Sequence, residues 1–279
     1  MGKTPANTNV SFWRDPDLPG VEVRYSSYNE EAFRNHVHEA YSIGFIDTGQ
    51  TTFLLEGTPH TASTGQVVLI GPNVVHACNP DPDSDMTYHM FYVDPVLLKS
   101  VTDELFGPDS GVPNFPSPVV DDPALRELWR SLHTAIVDKA DRLEKESLLL
   151  QGLVDVVSRH ATPGVLREPS GSGNAVELVK AYLSAHLSAK VSLDTLSEVA
   201  HLSRYHLLRV FQAEVGLPPH AYQNQLRVDL GKQLLTAGTP ISQAAVEAGF
   251  VDQSHFSRVF KQYTGATPRQ YQPLVDSDD

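Results

Sequence analysis

Cysteine is almost missing from this sequence: Cys78 is the only one in 279 residues. No disulfide framework can form within one chain, which fits a reducing cytoplasm. Long apolar runs are missing as well. No stretch approaches eighteen consecutive apolar residues, and none joins a basic flank to an apolar core as an export signal does. The expectation is a soluble cytoplasmic protein that does not enter a membrane. Positive charge is scarce too, with 21 Lys and Arg against 34 Asp and Glu and a formal charge of −13. That balance argues against indiscriminate coating of nucleic acid, but a locally basic face is compatible with it.

What is present is unevenly arranged. Residues 1–174 hold 12 cations and 24 acids, whereas residues 175–279 hold 9 and 10, three of those acids in the terminal VDSDD. The stretch LREPSGSGN (166–174), rich in Gly, Pro and Ser, reads as a linker. Before it, short apolar runs broken by Gly, Pro and Asn (YSIGFIDTG, TTFLLEG, GQVVLIGPN, MTYHMFYVD) recur about every ten residues, the pattern of an antiparallel barrel or sandwich. Between 122 and 162 the period changes: Leu125, Leu128, Trp129, Leu132 and Ile136, then Leu149, Leu153, Val156 and Val157, fall at steps of three and four. Two amphipathic helices are expected there. The fold class is therefore α+β and multidomain: residues 1–165 an antiparallel barrel or sandwich with two helices, 166–174 a linker, and 175–279 an all-α domain.

That helical part contains a repeat. Residues 191–222 slide forward by 49 onto 240–271 without a gap, matching Glu198/Glu247, His206/His255, Arg209/Arg258, Val210/Val259, Phe211/Phe260, Gly216/Gly265, Pro219/Pro268 and Tyr222/Tyr271. Two copies are too few for a solenoid and suit a duplicated small module. Each copy reads as a short helix (about 193–200 and 241–248), a turn, and a second helix opened by a capping residue, Ser203 or Asp252. Gly216 and Gly265 close the second helices, and Gly249 lies in the second turn.

One face of each second helix is apolar: Leu207, Val210 and Phe211, or Phe256, Val259 and Phe260. The other carries Arg204, Tyr205, Leu208 and Arg209 in one copy and Gln253, Ser254, Ser257, Arg258 and Lys261 in the other. A guanidinium fork matches guanine O6 and N7, and Gln can pair with adenine. The same face would also suit the solvated side of an ordinary bundle, but two copies in tandem with a matched Arg favour reading heads for the major groove. The joining helix, about 219–236, spans roughly 27 Å at 1.5 Å per residue. That can hold two heads near one DNA turn apart, about 34 Å, with Arg227, Lys232 and Arg269 as expected phosphate contacts.

The run LLTAGTPISQAAVEAGFVDQSHFSRVFKQYTGATPRQY closely resembles the signature of the AraC/XylS family of bacterial transcriptional regulators. By position, the resemblance implies base-reading roles for Tyr205, Leu208, Arg209, Gln253, Ser254 and Arg258, with only an apolar contact at Leu208. Residues 36–80 resemble the small cupin-like barrel that precedes this module in the arabinose-regulator branch. Residues i and i+2 of a strand share a face, so His36 with His38, His76 with Cys78, and His89 with Phe91 would each point one way. The resemblance makes the strands of His76 and His89 the wall of an effector pocket, and these six residues are the candidates for effector binding.

Metal-binding cupins use an H-x-H pair, a nearby Glu and a distant His. His36, His38 and His76 fit, but Ser42 and Ile43 stand where that Glu would be, so no cofactor is assigned. The implied function is sequence-specific DNA binding controlled by a small-molecule effector, without catalysis. A homodimer paired through the two Leu-rich helices is expected, with RNA polymerase as a partner if the protein is an activator. A metal-sensing regulator, or less favoured a metal-dependent cupin enzyme fused to a DNA-binding domain, are the alternatives.

Overall fold

A computed structural model describes residues 9–28, 37–55, 57–81, 85–162, 174–264 and 266–272. The chain forms two compact units, Met1–Val137 with Leu148–Glu168, and Asp138–Ser147 with Pro169–Asp279. Residues 138–147, which the sequence reading leaves in the N-terminal domain, thus group with the helical one. The expected linker falls outside the described residues, except for Asn174.

In the first unit, β1 (Asn9–Trp13), β2 (Val21–Tyr28), β3 (Tyr41–Thr48), β6 (Val67–Ile70), β7 (Met86–Val93) and β8 (Val119–Val120) form one antiparallel sheet in the order β1-β2-β7-β3-β6-β8. A separate hairpin pairs β4 (Gln50–Leu55) with β5 (Thr58–Ser63). Gly49, Gly57 and Gly65 take positive φ (83°, 81° and 92°) at the corners between β3, β4, β5 and β6, where an L side chain would be strained.

Both faces of the large sheet are covered. Phe53, Leu55 and Ala62 of the hairpin pack with Ile46, Val68, Ile70, Met86, Tyr88 and Met90 to make the interior. On the opposite face, Phe91 meets Trp129 with ring centroids 4.7 Å apart. Trp129 belongs to α2 (Pro123–Val137), and α3 (Arg142–His160) comes close enough that a Cβ on Gly152 would lie 3.1 Å from the indole. One helix went unread in the sequence, α1 (Pro95–Phe106), opened by Asp94, whose carboxylate accepts the Val96 amide at 2.8 Å.

The stripe expected to pair two protomers is buried in the chain itself: Leu125, Trp129, Leu132, Leu153, Val156 and Val157 are all at most 3% exposed. These six side chains are core within the chain, while Leu128 of the same stripe is half-buried.

The second unit contains α4 (Ala175–Ala185), α5 (Leu193–Ala200), α6 (Arg204–Val215), α7 (Pro219–Thr236), α8 (Ile241–Glu247), α9 (Gln253–Thr264) and α10 (Pro268–Tyr271). Ser203 caps α6 by accepting the His206 amide at 3.3 Å, and Asp252 caps α9 by accepting that of His255 at 2.8 Å. The duplication extends to the packing. Phe211 and Tyr222 meet edge to face at 5.6 Å and 72°, and their counterparts Phe260 and Tyr271 do the same at 5.3 Å and 72°. Gly216 closes α6 at φ 79°; Gly265 lies outside the described residues.

Gly249 and Gly216 separate two costs of a side chain. At Gly216 a Cβ meets open space, so Gly216→Ala should lose only the left-handed backbone penalty, about 1–2 kcal/mol. At Gly249, with φ 88°, the Cβ would sit 2.5 Å from the Leu187 carbonyl oxygen, so Gly249→Ala should lose clearly more. Urea unfolding of the two full-length variants checks the order; equal losses would contradict the packing of this turn.

Candidate DNA-reading face and effector cavity

The two second helices present most of the expected side chains outward. Arg204, Arg209, Gln253, Ser254 and Lys261 are exposed, while Tyr205, Ser257 and Arg258 are half-buried. Leu208 departs from the expectation: at 4% exposure it packs inward beside Leu207 and Phe211. At 3.6 residues per turn a wide apolar face takes in the adjacent positions 207 and 208, and an apolar side chain gains by burial there. Leu208 is therefore core and no base contact.

Arginines of both faces are held by acids of the same unit. Arg204 Nη1 lies 3.6 Å from Asp194. Arg258 pairs with Asp138, their side chains 39% and 31% exposed.

Arg227, expected at a phosphate, is instead 2% exposed. Its Nε donates to the Leu187 carbonyl at 2.7 Å and its Nη1 to Asp141. The Phe250 ring lies 5.9 Å from its guanidinium carbon. Position in an amphipathic helix gave no sign of this, because α7 carries polar residues all round, and Gln223 and Asn224 are buried with Arg227. Lys232 stays half-buried against Asp229 at 2.9 Å, and Arg269 is exposed.

Two buried groups show how crowded this charge cluster is. Burial, and then the neighbouring Asp141, push the Glu144 carboxyl above its ordinary range against a hydrogen bond from Asn224. Burial likewise lowers the His255 imidazole, opposed by Asp141 and reinforced by Arg258 and Arg227.

In the first unit, the interior of the sheet holds a small cavity of about 30 Å³, room for a water or two. His38, Ser42, Thr51, His76, Cys78, Met86, Tyr88 and Tyr92 are among its lining. The His38 ring lies 5.3 Å from that of His76 and 4.6 Å from Tyr92. His76 is buried with Nδ1 2.8 Å from the Val74 carbonyl, in the connection between β6 and β7 and outside any named strand. Cys78 is partly buried, and its thiol is pushed up to about 12 by burial. His36 lies outside the described residues.

His89 and Phe91 are not with them. Their cross-strand partners are Tyr25 and Phe45, and Val23 and Ile43, on the helix-covered face. There His89 stacks on Phe45 at 4.8 Å, meets His133 at 4.1 Å and lies 2.8 Å from Asp47, which also pairs with Arg130 at 2.8 Å. Burial raises the Asp47 pKa, but the hydrogen bonds and charges of His89 and Arg130 outweigh it and hold the carboxyl below its ordinary value. The alternation of β7 was followed in the wrong phase, because both of its faces are buried and apolar content cannot tell them apart. The interior residues of β7 are Met86, Tyr88, Met90 and Tyr92. Ser42 also lines the cavity, though it was no candidate for effector binding: it is 1% exposed, and its Oγ has no hydrogen-bond partner among the described residues. Among the described residues, no three His, Cys, Asp or Glu side chains converge as a metal site would need.

A family model described as the AraC-like ligand binding domain matches residues 18–153, and one described as a helix-turn-helix domain matches 196–273. An uncharacterized HTH-type transcriptional regulator, YbfI of Bacillus subtilis, is 30% identical over 249 residues, covering 89% of this chain and 90% of its own. The HTH-type transcriptional activator RhaR of Escherichia coli O139:H28 is 25% identical over 275 residues, 96% of each chain. The chain belongs to the AraC family of helix-turn-helix transcriptional regulators. It is a DNA-binding transcriptional regulator with an N-terminal ligand-binding domain and a C-terminal helix-turn-helix domain.

The buried pair at Arg227 is testable by a double-mutant cycle. Arg227→Ala alone should destabilise the protein by about 3–5 kcal/mol, because it leaves Asp141 uncompensated beside Glu144. The double variant Arg227→Ala/Asp141→Ala should lose much less than the two single losses together. Additive losses in urea unfolding would mean the two side chains do not interact.

Proposed function

We propose that this regulator reads two successive segments of the major groove through α6 and α9, with Arg209 and Arg258 as matched base-reading arginines. Arg204, Tyr205, Gln253, Ser254, Ser257 and Lys261 complete the two contact faces. The observation that carries this reading is the repeated construction. Each helix has a side-chain cap, an identical Phe–Tyr pair behind it and an arginine at the same repeat position. A helix N-terminus held this firmly can place side chains at base edges without ordering cost at binding.

The effector enters the cavity lined by His38, Ser42, His76 and Cys78. Because that space is only about 30 Å³, a ligand of ordinary size must displace flexible side chains, for which Met86 and Met90 are suited. Binding then favours one arrangement of the chain by its difference in affinity for the two. The chain acts as a homodimer in the cytoplasm, without catalysis, and as an activator it would meet RNA polymerase. No helix among the described residues is long and apolar enough to cross a membrane.

The test is quantitative binding to a duplex selected from random sequence by the wild-type chain. Arg209→Ala and Arg258→Ala should each lose about 1–3 kcal/mol of specific binding and relax base preference in different halves of the site. Wild-type affinity and selectivity in both variants would sink the assignment of α6 and α9.

A further inference from the structure

The second unit contains a stretch of the chain far from its helix-turn-helix repeat. Residues 138–147, DKADRLEKES, hold four acids. Two of them anchor the stretch firmly. Asp141 pairs with the buried Arg227, and Glu146 accepts the Leu193 amide at 2.6 Å, the first residue of α5. Ala140 and Leu143 of the same stretch are buried, at 6% and 0% exposure.

Asp138 does something different. It pairs with Arg258, on the outward side of α9, and both side chains keep about a third of their surface in water. A guanidinium carries one charge and one planar fork. While a carboxylate occupies it, the fork is less available to a phosphate or to the O6/N7 edge of a guanine. A deeply buried pair would be too costly to open, whereas a half-exposed one exchanges readily.

We propose that Asp138 is an internal competitor for DNA: its carboxylate occupies Arg258 in the unbound protein and must release it before α9 reads the duplex. The Asp141–Arg227 and Glu146–Leu193 contacts keep the acidic stretch beside α9, so release needs movement only at its first residues. Affinity for the operator is thereby set below what the reading helices alone would give. This inference rests on Arg258 contacting DNA, as proposed above.

The test uses the full-length chain and fluorescence-anisotropy titration of the same selected duplex. Wild type is compared with Asp138→Asn, Asp138→Ser, Arg258→Ala, and Asp138→Asn combined with Arg258→Ala. Glu177→Gln, an exposed acid in the same unit, controls for net charge. Both Asp138 variants should bind about two- to fivefold more tightly than wild type, the worth of a partly exposed ion pair. Glu177→Gln should gain less, and the gain should vanish when Arg258 is already Ala. No gain over Glu177→Gln overturns the proposal, and so does a gain that survives in the Arg258→Ala background, which would make it a bulk charge effect. Wild-type affinity of Arg258→Ala itself identifies a different failure, that of the base-reading role. Two substitutions at Asp138 guard against one that perturbs folding, with matched melting temperatures as the check.

Discussion

A guanidinium closed off from water must find a full set of partners, and in this protein that requirement falls on Arg227. Its Nε takes the Leu187 carbonyl in the turn after α4, its Nη1 takes Asp141 ahead of α3, and Phe250 in the α8–α9 turn faces it. Three separate parts of the chain are therefore tied to the middle of α7. Gly249 fits the same point, since only a residue without Cβ can approach the Leu187 carbonyl there. The pair with Asp141 is weak grounds for claiming extra stability, because desolvation offsets much of the attraction. What it specifies is arrangement: any other packing of α7 would leave one of two charges buried alone.

That constraint bears on how an acidic protein can bind DNA. The net charge of −13 resides almost wholly before residue 175. Within the helical unit, acids from 138–147 stand among Arg227, Arg258 and His255, so the field at α9 is set locally. Net charge argued only against nonspecific coating of nucleic acid. It was silent about which arginine is held by which carboxylate, and that is the quantity on which reading depends.

Much of this architecture was legible in the sequence, and the reasons are specific. The 49-residue repeat, the caps at Ser203 and Asp252, and the corner glycines each answer a local backbone need that the residue type alone declares. Both helices of 122–162 followed from periodicity, α2 and α3 ending within a few residues of the expected span. The misses share one cause. Leu208, Arg227 and His89 were each placed by pattern in a setting where tertiary packing overrides it. A strand buried on both faces gives no phase, so His89 and Phe91 were turned to the wrong side. A helix polar all round gives no inward face, so Arg227 was put outside. Ser42 was noticed only as the residue where a metal-binding Glu is missing, although its buried Oγ marks the cavity wall. Nothing in residues 138–147 taken alone announces that they join the helical unit, because their partners Leu193, Arg227 and Arg258 lie far downstream.

The acidic stretch 138–147 is a built-in part of the helical unit. The most direct measurement is amide hydrogen exchange at Leu193 in the full-length protein, by NMR. First-turn amides of a helix have no intrahelical acceptor and normally exchange fast. Here the Leu193 amide donates to Glu146 at 2.6 Å, so it should be protected well above the other first-turn amides of α5 that lack a side-chain acceptor, and Glu146→Ala should abolish that protection. Exchange at the rate of an open amide in the wild-type protein would contradict the account.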